Sequence, residues 1–342
     1  MKKIFVTGGA GFIGSAFIRL VLAGQSAVEI TNFDALTYAG NLENLSGIDP
    51  DRHRFVKGDI CNASGVRSAL PKGCDAIFNF AAESHVDRSI HSADEFLRTN
   101  ILGTQVLLDV SREIGVRRFV QISTDEVMGS LPDEGDDYFH EQLPLAPNSP
   151  YAASKASAEL ILRAARETFG LDTVITRCGN NYGPRQFPEK LIPLMLANAM
   201  HDEPLPVYGD GKNVRDWIYV DDHCRAIWLA YEKGRSGETY NIGARNERQN
   251  IEVVRSLLDA VGKPHSLIKF VTDRLGHDRR YAIDPTKAET ELGWKPQMTW
   301  EKGLKATIEW YREHQGWVAH IRNGEYRQYY QAMYGSALSE NK

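Results

Sequence analysis

Short apolar runs recur through the first half of the chain, separated by longer stretches in which apolar positions return at helical spacing. "KIFVTGG", "VEITNFD", "HRFVKGDI", "AIFNFAA", "RRFVQIST" and "DTVITRCG" predict strands. "GSAFIRLVLA", "EFLRTNILGTQVLLDVSREIG" and "YAASKASAELILRAARETFG" predict helices, the last two stopping at Gly115 and Gly170. Strands alternating with helices read as βαβ units, so the chain is expected to be α/β with a doubly wound parallel sheet. Beyond about residue 176, Pro184, Pro188, Pro193, Pro204 and Pro206 break the pattern into loops and short helices, as a cap over the sheet would require. "WIYVDDHCRAIWLAYEKG" and "ETYNIG" resume a helix and a strand that fit the first unit again. The expected division is therefore 1–175 for a nucleotide-binding domain, rejoined by about 218–243, with 176–217 and 244–335 forming a second domain. The tail "GSALSENK" is polar and expected to fray.

Composition narrows the function classes. Apolar residues make up 42% and charged residues 25% of the 342, an ordinary globular balance, and the net charge of −5 comes without a basic run. Neither a nucleic acid nor an anionic membrane surface is the expected partner; a small ligand is. No window approaches the length of apolar chain needed to span a bilayer, and Gly8, Gly9 and Gly11 cut the opening apolar segment too early for an export signal. Cys61, Cys74, Cys178 and Cys224 are scattered, without metal-ligand spacing, which predicts reduced thiols in a cytoplasmic protein and no metal.

Candidate chemistry begins at "TGGAGFIG", Thr7 to Gly14, where Gly8, Gly11 and Gly14 follow a strand and open a helix. The glycines suit a tight turn, close approach of backbone to pyrophosphate, and packing of helix on strand, with the helix N-terminus facing the anion. Asp34, about 20 residues on at the end of the second strand, is placed to accept hydrogen bonds from a ribose and to repel a 2′-phosphate, which favours NAD over NADP. Asp59, closing the third strand, is a second candidate on the adenine side. In "YAASKASAE", Tyr151 and Lys155 share one helix face, and an ammonium beside a phenol lowers the phenol's pKa toward usefulness as a base. "STDEV" ends the fifth strand and sets Asp125 and Glu126 directly after Thr124. A plain dehydrogenase has no use for that extra acid and base.

These features resemble the extended short-chain dehydrogenase/reductases. The phrases "FDALTYAGNLENL", "FAAESHVDRSI", "STDEV", "LAPNSPYAASKASAE", "NNYGP", "FPEKLIPLM", "VRDWIYVDDH" and "GHDRRYAID" resemble, more narrowly, the dTDP-glucose 4,6-dehydratase family. The resemblance implies a Rossmann-type sheet with a smaller C-terminal substrate-binding cap, NAD as cofactor, and a nucleotide sugar, dTDP-glucose, as substrate. It implies that Thr124, Asp125, Glu126, Tyr151 and Lys155 are catalytic. Around NAD it places Phe12, Ile13, Thr37, Ile60, Ala81, Ala82, Ser84, Thr99, Tyr151, Lys155 and Cys178 beside the glycines, Asp34 and Asp59. Around the sugar it places Ser84, His85, Asp87, Arg88, Thr124, Asn180, Glu189, Lys190 and Leu191. Around the nucleotide it places Pro206, Tyr208 for stacking, Arg215 for the diphosphate, Asn250, His277 and Tyr281. Relatives pair their long helices across a two-fold, and the two helices ending at Gly115 and Gly170 carry more apolar surface than one sheet face needs, so a homodimer is expected. The pattern departs at Met128, where the family usually has Tyr and where a pocket wall is expected. Competing readings are a dehydratase acting on UDP- or CDP-glucose, a nucleotide-sugar epimerase or decarboxylase, and a non-catalytic NAD-sensing protein.

Overall fold

A computed structural model describes residues 1–133 and 135–322. The polar tail and the end of the expected second domain lie outside the described residues. The elements run β1 (Lys2–Thr7), α1 (Phe12–Gly24), β2 (Val28–Asp34), β3 (His53–Lys57), α2 (Ala63–Ala69), β4 (Ala76–Asn79), α3 (Val86–His91), α4 (Asp94–Phe96), α5 (Thr104–Ile114) and β5 (Arg118–Thr124). Next come α6 (Pro150–Phe169), β6 (Thr173–Cys178), β7 (Asn180–Tyr182), α7 (Leu191–Met200), β8 (Leu205–Tyr208), β9 (Val214–Tyr219), α8 (Val220–Lys233) and β10 (Thr239–Ile242). The order closes with β11 (Glu247–Gln249), α9 (Asn250–Val261), β12 (Ile268–Val271), α10 (Trp300–Glu313) and α11 (Gln315–Ile321).

Seven strands form one parallel sheet in the order β10-β6-β5-β4-β1-β2-β3, the doubly wound arrangement that the alternating pattern predicts. Its strands are apolar on both faces because helices cover both. In β1, Ile4 and Val6 pack with Phe17 of α1 and Ile227 of α8, while Phe5 points to the other side with Leu107 of α5 and Leu162 of α6. Chain order reverses between β1 and β4, and the crevice at the carboxyl ends of such neighbours is where an open sheet receives its ligand. β7, β9 and β11 make a second, smaller sheet, and β8 pairs with β12. Tyr182, Trp217, Leu257 and Trp300 build a separate core beneath these short strands, so this layer is held by its own burial.

Two helix details position the site. Pro150 opens α6 and the Ser149 hydroxyl accepts the Ala152 N–H at 3.1 Å, a cap contributing about 1 kcal/mol. Gly115 and Gly170 end their helices at φ 77° and 71°, as expected for C-terminal stops. The segment before α5 departs from the single regular helix that its sequence predicts, because Leu97–Gly103 is wound as a π-helix. A Cβ on Gly103 would lie 2.5 Å from Ile60, and Asn100 is drawn into bonds with Glu83 and Ser154. The wider turn accommodates both and leaves Thr99 facing the cleft.

Candidate active site

The glycine turn joins β1 to α1 at the crevice. Gly8 has φ +67°, and a Cβ there would approach the Ala81 nitrogen at 2.6 Å, so only glycine fits between β1 and the end of β4. A Cβ on Gly14 would meet the Gly8 oxygen at 2.3 Å, which seats α1 on the turn. Gly11 differs: its Cβ would meet only the Gly8 oxygen, at 3.3 Å, and its open side borders the cleft. α1 starts there with no side-chain cap and no acidic residue in its first turn, leaving its N–H groups for an anion. Asp34 accepts the Ala10 N–H at 2.8 Å and the Leu36 N–H at 2.8 Å, holding its carboxylate at the cleft wall. This donor set fits a dinucleotide pyrophosphate and an unphosphorylated ribose. Phe12, Ile13, Thr37, Asp59 and Ile60 border the same cleft, as do Ala81, Ala82, Ser84, Thr99 and Cys178.

The five expected catalytic side chains converge on the cleft from two elements. β5 delivers Thr124, whose hydroxyl lies 3.2 Å from Asp125 Oδ1 and accepts the Glu126 N–H at 3.3 Å. The chain then tightens into a 3₁₀ turn, Asp125–Met128, that fixes both carboxylates. α6 delivers Tyr151 in its first turn and Lys155 one turn later. Asp125 is 1% exposed, while Glu126 keeps part of its surface open to the cleft. Burial, and after it the adjacent Glu126, pushes the Asp125 carboxyl well above the usual carboxylate range. Its Oδ2 is buried without a hydrogen-bond partner, the arrangement of a protonated acid whose acceptor is a ligand atom. Burial also raises Glu126, but Arg274, Lys190 and Arg215 pull it back toward the ionised form. Two neighbouring carboxyls are thus pushed apart into an acid and a base.

The lysine differs from its sequence expectation. Its ammonium donates to the Ile122 carbonyl at 2.6 Å rather than to Tyr151, and burial brings its pKa down to about 8. Burial, then Glu126, holds the Tyr151 phenol well above its ordinary value, with the Thr124 hydroxyl acting in the opposite direction. Thr124 is therefore the hydroxyl that favours the phenolate.

On the substrate side, Ser84, His85, Asp87, Asn180, Glu189, Lys190 and Leu191 border the cleft. Pro206, Tyr208, Arg215, Asn250, His277 and Tyr281 border it further along. Arg88 is the exception: it is not a wall residue, and its guanidinium lies over the Tyr38 ring at 3.8 Å and 3.8 Å from Glu189. Arg215 lines the cleft but spends its fork on the Val214 and Asp278 carbonyls, at 2.7 and 2.8 Å, and stacks on Tyr281 at 4.1 Å. Tyr208 donates to Asp87 at 3.2 Å and meets His277 edge-on. Met128 is not a pocket wall either; it packs behind the turn with Phe139, Ala156 and Tyr281, where its sulfur accepts from Arg177 at 3.5 Å.

Sequence reasoning missed Arg274 and Asn181. Arg274 borders the cleft 3.6 Å from Asp87 and supplies the largest opposing charge to Glu126. Its one signal was its place three residues before His277 in "DRLGHDRR". Asn181 follows Asn180, and its amide is oriented by His223 at 2.9 Å. Among the described residues no group of His, Cys, Asp and Glu could hold a metal ion.

The family model for GDP-mannose 4,6 dehydratase matches residues 5–307. A dTDP-glucose 4,6-dehydratase of Xanthomonas campestris pv. campestris (strain B100) is 51% identical, over 96% of this chain and 98% of its own. The crystal structure of the dTDP-glucose 4,6-dehydratase DesIV from Streptomyces venezuelae, with NAD bound, superposes with TM-score 0.90 at 51% identity, covering 93% of this chain and 99% of that one. A UDP-glucose 4-epimerase of Thermotoga maritima shares the architecture at TM-score 0.84 but only 31% identity, with 92% and 99% covered. The glycine turn, the paired carboxyls after Thr124 and the Tyr151/Lys155 helix agree with these full-length likenesses, and the chain belongs to the dTDP-glucose 4,6-dehydratase family of extended short-chain dehydrogenase/reductases.

Proposed function

We propose that the protein is an NAD-dependent lyase that converts dTDP-glucose to dTDP-4-keto-6-deoxyglucose without net redox change. The observation that carries this reading is the buried, partnerless Oδ2 of Asp125 beside the ionisable Glu126, both facing the cleft that Tyr151 borders. NAD bound over the glycine turn supplies the hydride acceptor for carbon 4 and the hydride donor for carbon 6. Tyr151 takes the proton of the 4-hydroxyl, with Thr124 holding the same oxygen. Lys155, fixed to the Ile122 carbonyl, keeps a cation at the base of the helix. A 4-ketone acidifies carbon 5, and Glu126 removes that proton. Asp125 gives its own proton to the departing 6-hydroxyl, so that water leaves, and the proton held by Glu126 returns to carbon 5 when carbon 6 takes up hydride. An epimerase needs neither carboxyl, which is why that reading ranks second.

Incubation with dTDP-, UDP- and CDP-glucose tests the assignment. The expected product of dTDP-glucose is lighter by one water, forms without a net rise in reduced-nicotinamide absorbance, and forms slower with the other two nucleotides. An isobaric product would point to epimerisation, and equal rates with all three sugars would overturn the nucleotide preference.

The same reading includes a homodimer. Leu97, Leu102, Leu160 and Phe169 are 45%, 60%, 57% and 52% exposed along the π-helix and α6 surfaces, an apolar stripe suited to a two-fold helical contact. Wild type is expected at dimer mass in light scattering at micromolar concentration, and Leu102→Glu with Leu160→Glu at monomer mass. A wild-type monomer would contradict the contact. No helix among the described residues is long and apolar enough to cross a membrane. All four cysteines are free thiols, which supports a reducing cytoplasmic setting. Small nucleotide sugars, and no nucleic acid, are the partners that the cleft suits.

A further inference from the structure

A redox-neutral turnover on NAD requires the same cofactor to stay in place from the first step to the last, so whatever slows its release belongs to the enzyme's design. This inference rests on the NAD reading above. The segment from Ala35 to Leu45 borders the cleft beside Asp34 through Ala35, Thr37, Ala39 and Gly40. It is tied to the glycine turn at one peptide. Asn44, 1% exposed, donates from Nδ2 to the Ala10 carbonyl at 3.0 Å, and the Asn41 N–H reaches the same oxygen at 3.0 Å. The N–H of Ala10 is held in turn by Asp34. What orients Asn44 comes from the far end of the chain: Trp317 of α11 donates its indole N–H to Asn44 Oδ1 at 2.9 Å.

Trp317 is a residue of two layers. Its ring is buried in the small-sheet core, edge-on to Trp310 and Tyr311, and the Tyr311 hydroxyl bonds the carbonyl of the cleft residue Gln186. Its N–H alone reaches across to the cofactor side. A ring needed only for packing would not require that donor to meet a buried amide that spans to the phosphate-binding turn. The same segment is held further by Arg19 of α1, which donates to the Asn44 carbonyl at 2.9 Å, and at its opening end by the Tyr38 hydroxyl, which donates to Glu189 at 3.1 Å. We propose that Trp317 is a positioning residue for cofactor retention: through Asn44 it latches the 35–45 segment onto the glycine turn, so that NAD cannot leave until the latch opens.

Exchange of isotope-labelled NAD out of the loaded dimeric holoenzyme measures the latch directly. Trp317→Phe keeps an aromatic ring in the core and loses the N–H, and its NAD exchange is expected to quicken about fivefold to tenfold, the range for one buried hydrogen bond. Asn44→Ala should quicken exchange at least as much, and Trp317→Phe added to Asn44→Ala should quicken it no further, because the tryptophan acts through that amide. With saturating NAD the kcat of Trp317→Phe is expected within about twofold of wild type, whereas activity without added NAD decays after dilution. His320→Ala, which touches the segment only through an exposed pair with Glu43, should leave exchange unchanged. Exchange within about twofold of wild type in folded Trp317→Phe and Asn44→Ala, or lost turnover that added NAD does not restore, overturns the latch. A wild-type protein that retains no NAD overturns the cofactor reading itself, and with it this inference.

Discussion

Tyr151→Phe is expected to lower turnover by about 10²- to 10⁴-fold, the range for removing a general base, while NAD stays bound. The substitution deletes one oxygen from a buried ring that packs edge-on to Phe96 at 6.3 Å, so the first turn of α6 keeps its place. The glycine turn and Asp34 belong to the β1, α1 and β2 region, whereas Tyr151 is on α6. Cofactor stoichiometry measured on the purified variant should therefore match wild type, with product formation almost absent. The geometry adds a second expectation. Because Thr124 is the hydroxyl that favours the phenolate, Thr124→Val should also depress turnover, by a smaller factor, and move the acidic limb of the rate profile toward a higher pH, since the base must be deprotonated to act. Near wild-type product formation by Tyr151→Phe would remove it from the chemistry.

Oxidation and elimination should come apart when the two carboxyls are changed separately. Glu126→Gln keeps shape and reach but cannot accept the carbon-5 proton, while Tyr151, Lys155 and Thr124 are untouched. Product is expected to fall by about 10²-fold or more, with slow build-up of reduced-nicotinamide absorbance on mixing with substrate and loss of deuterium exchange at carbon 5. Asp125→Asn removes the acid instead, so the 6-hydroxyl is retained while some carbon-5 exchange continues. The amide also replaces a carboxyl that burial already holds neutral, so the turn should tolerate it and Tm should change little. The acid–base split carries a pH sign as well: Asp125 works as the protonated species and loses that role only as pH rises through its raised pKa. Glu126 works ionised and loses its role as pH falls through its own. Product formed by both variants at wild-type rates would reduce the pair to a structural turn.

The sequence by itself determined the elements and their sheet. Apolar strands alternating with helices bury both faces as a parallel sheet covered by helices, and Gly8, Gly11, Gly14, Asp34, Tyr151 and Lys155 are readable because the turn and the helix impose fixed spacings on them. The Asp125-Glu126 dipeptide was legible as a motif, but it is the 3₁₀ turn after β5 that brings both carboxyls to the cleft. Contacts made across the chain were not legible. Whether Arg88 faces the sugar or stacks on Tyr38, whether Lys155 reaches the phenol or the Ile122 carbonyl, and whether Met128 walls the pocket or packs on Phe139 each depend on which way a side chain leaves its element. No local pattern records that direction. Arg274 was missed because a surface-like loop hides it until β12 pairs with β8 and carries it over Glu126. The pKa separation of Asp125 and Glu126 likewise exists only after folding, because desolvation and the cations of three distant segments create it. Periodicity and spacing reach only neighbours along the chain, whereas burial and charge are properties of what the fold brings together.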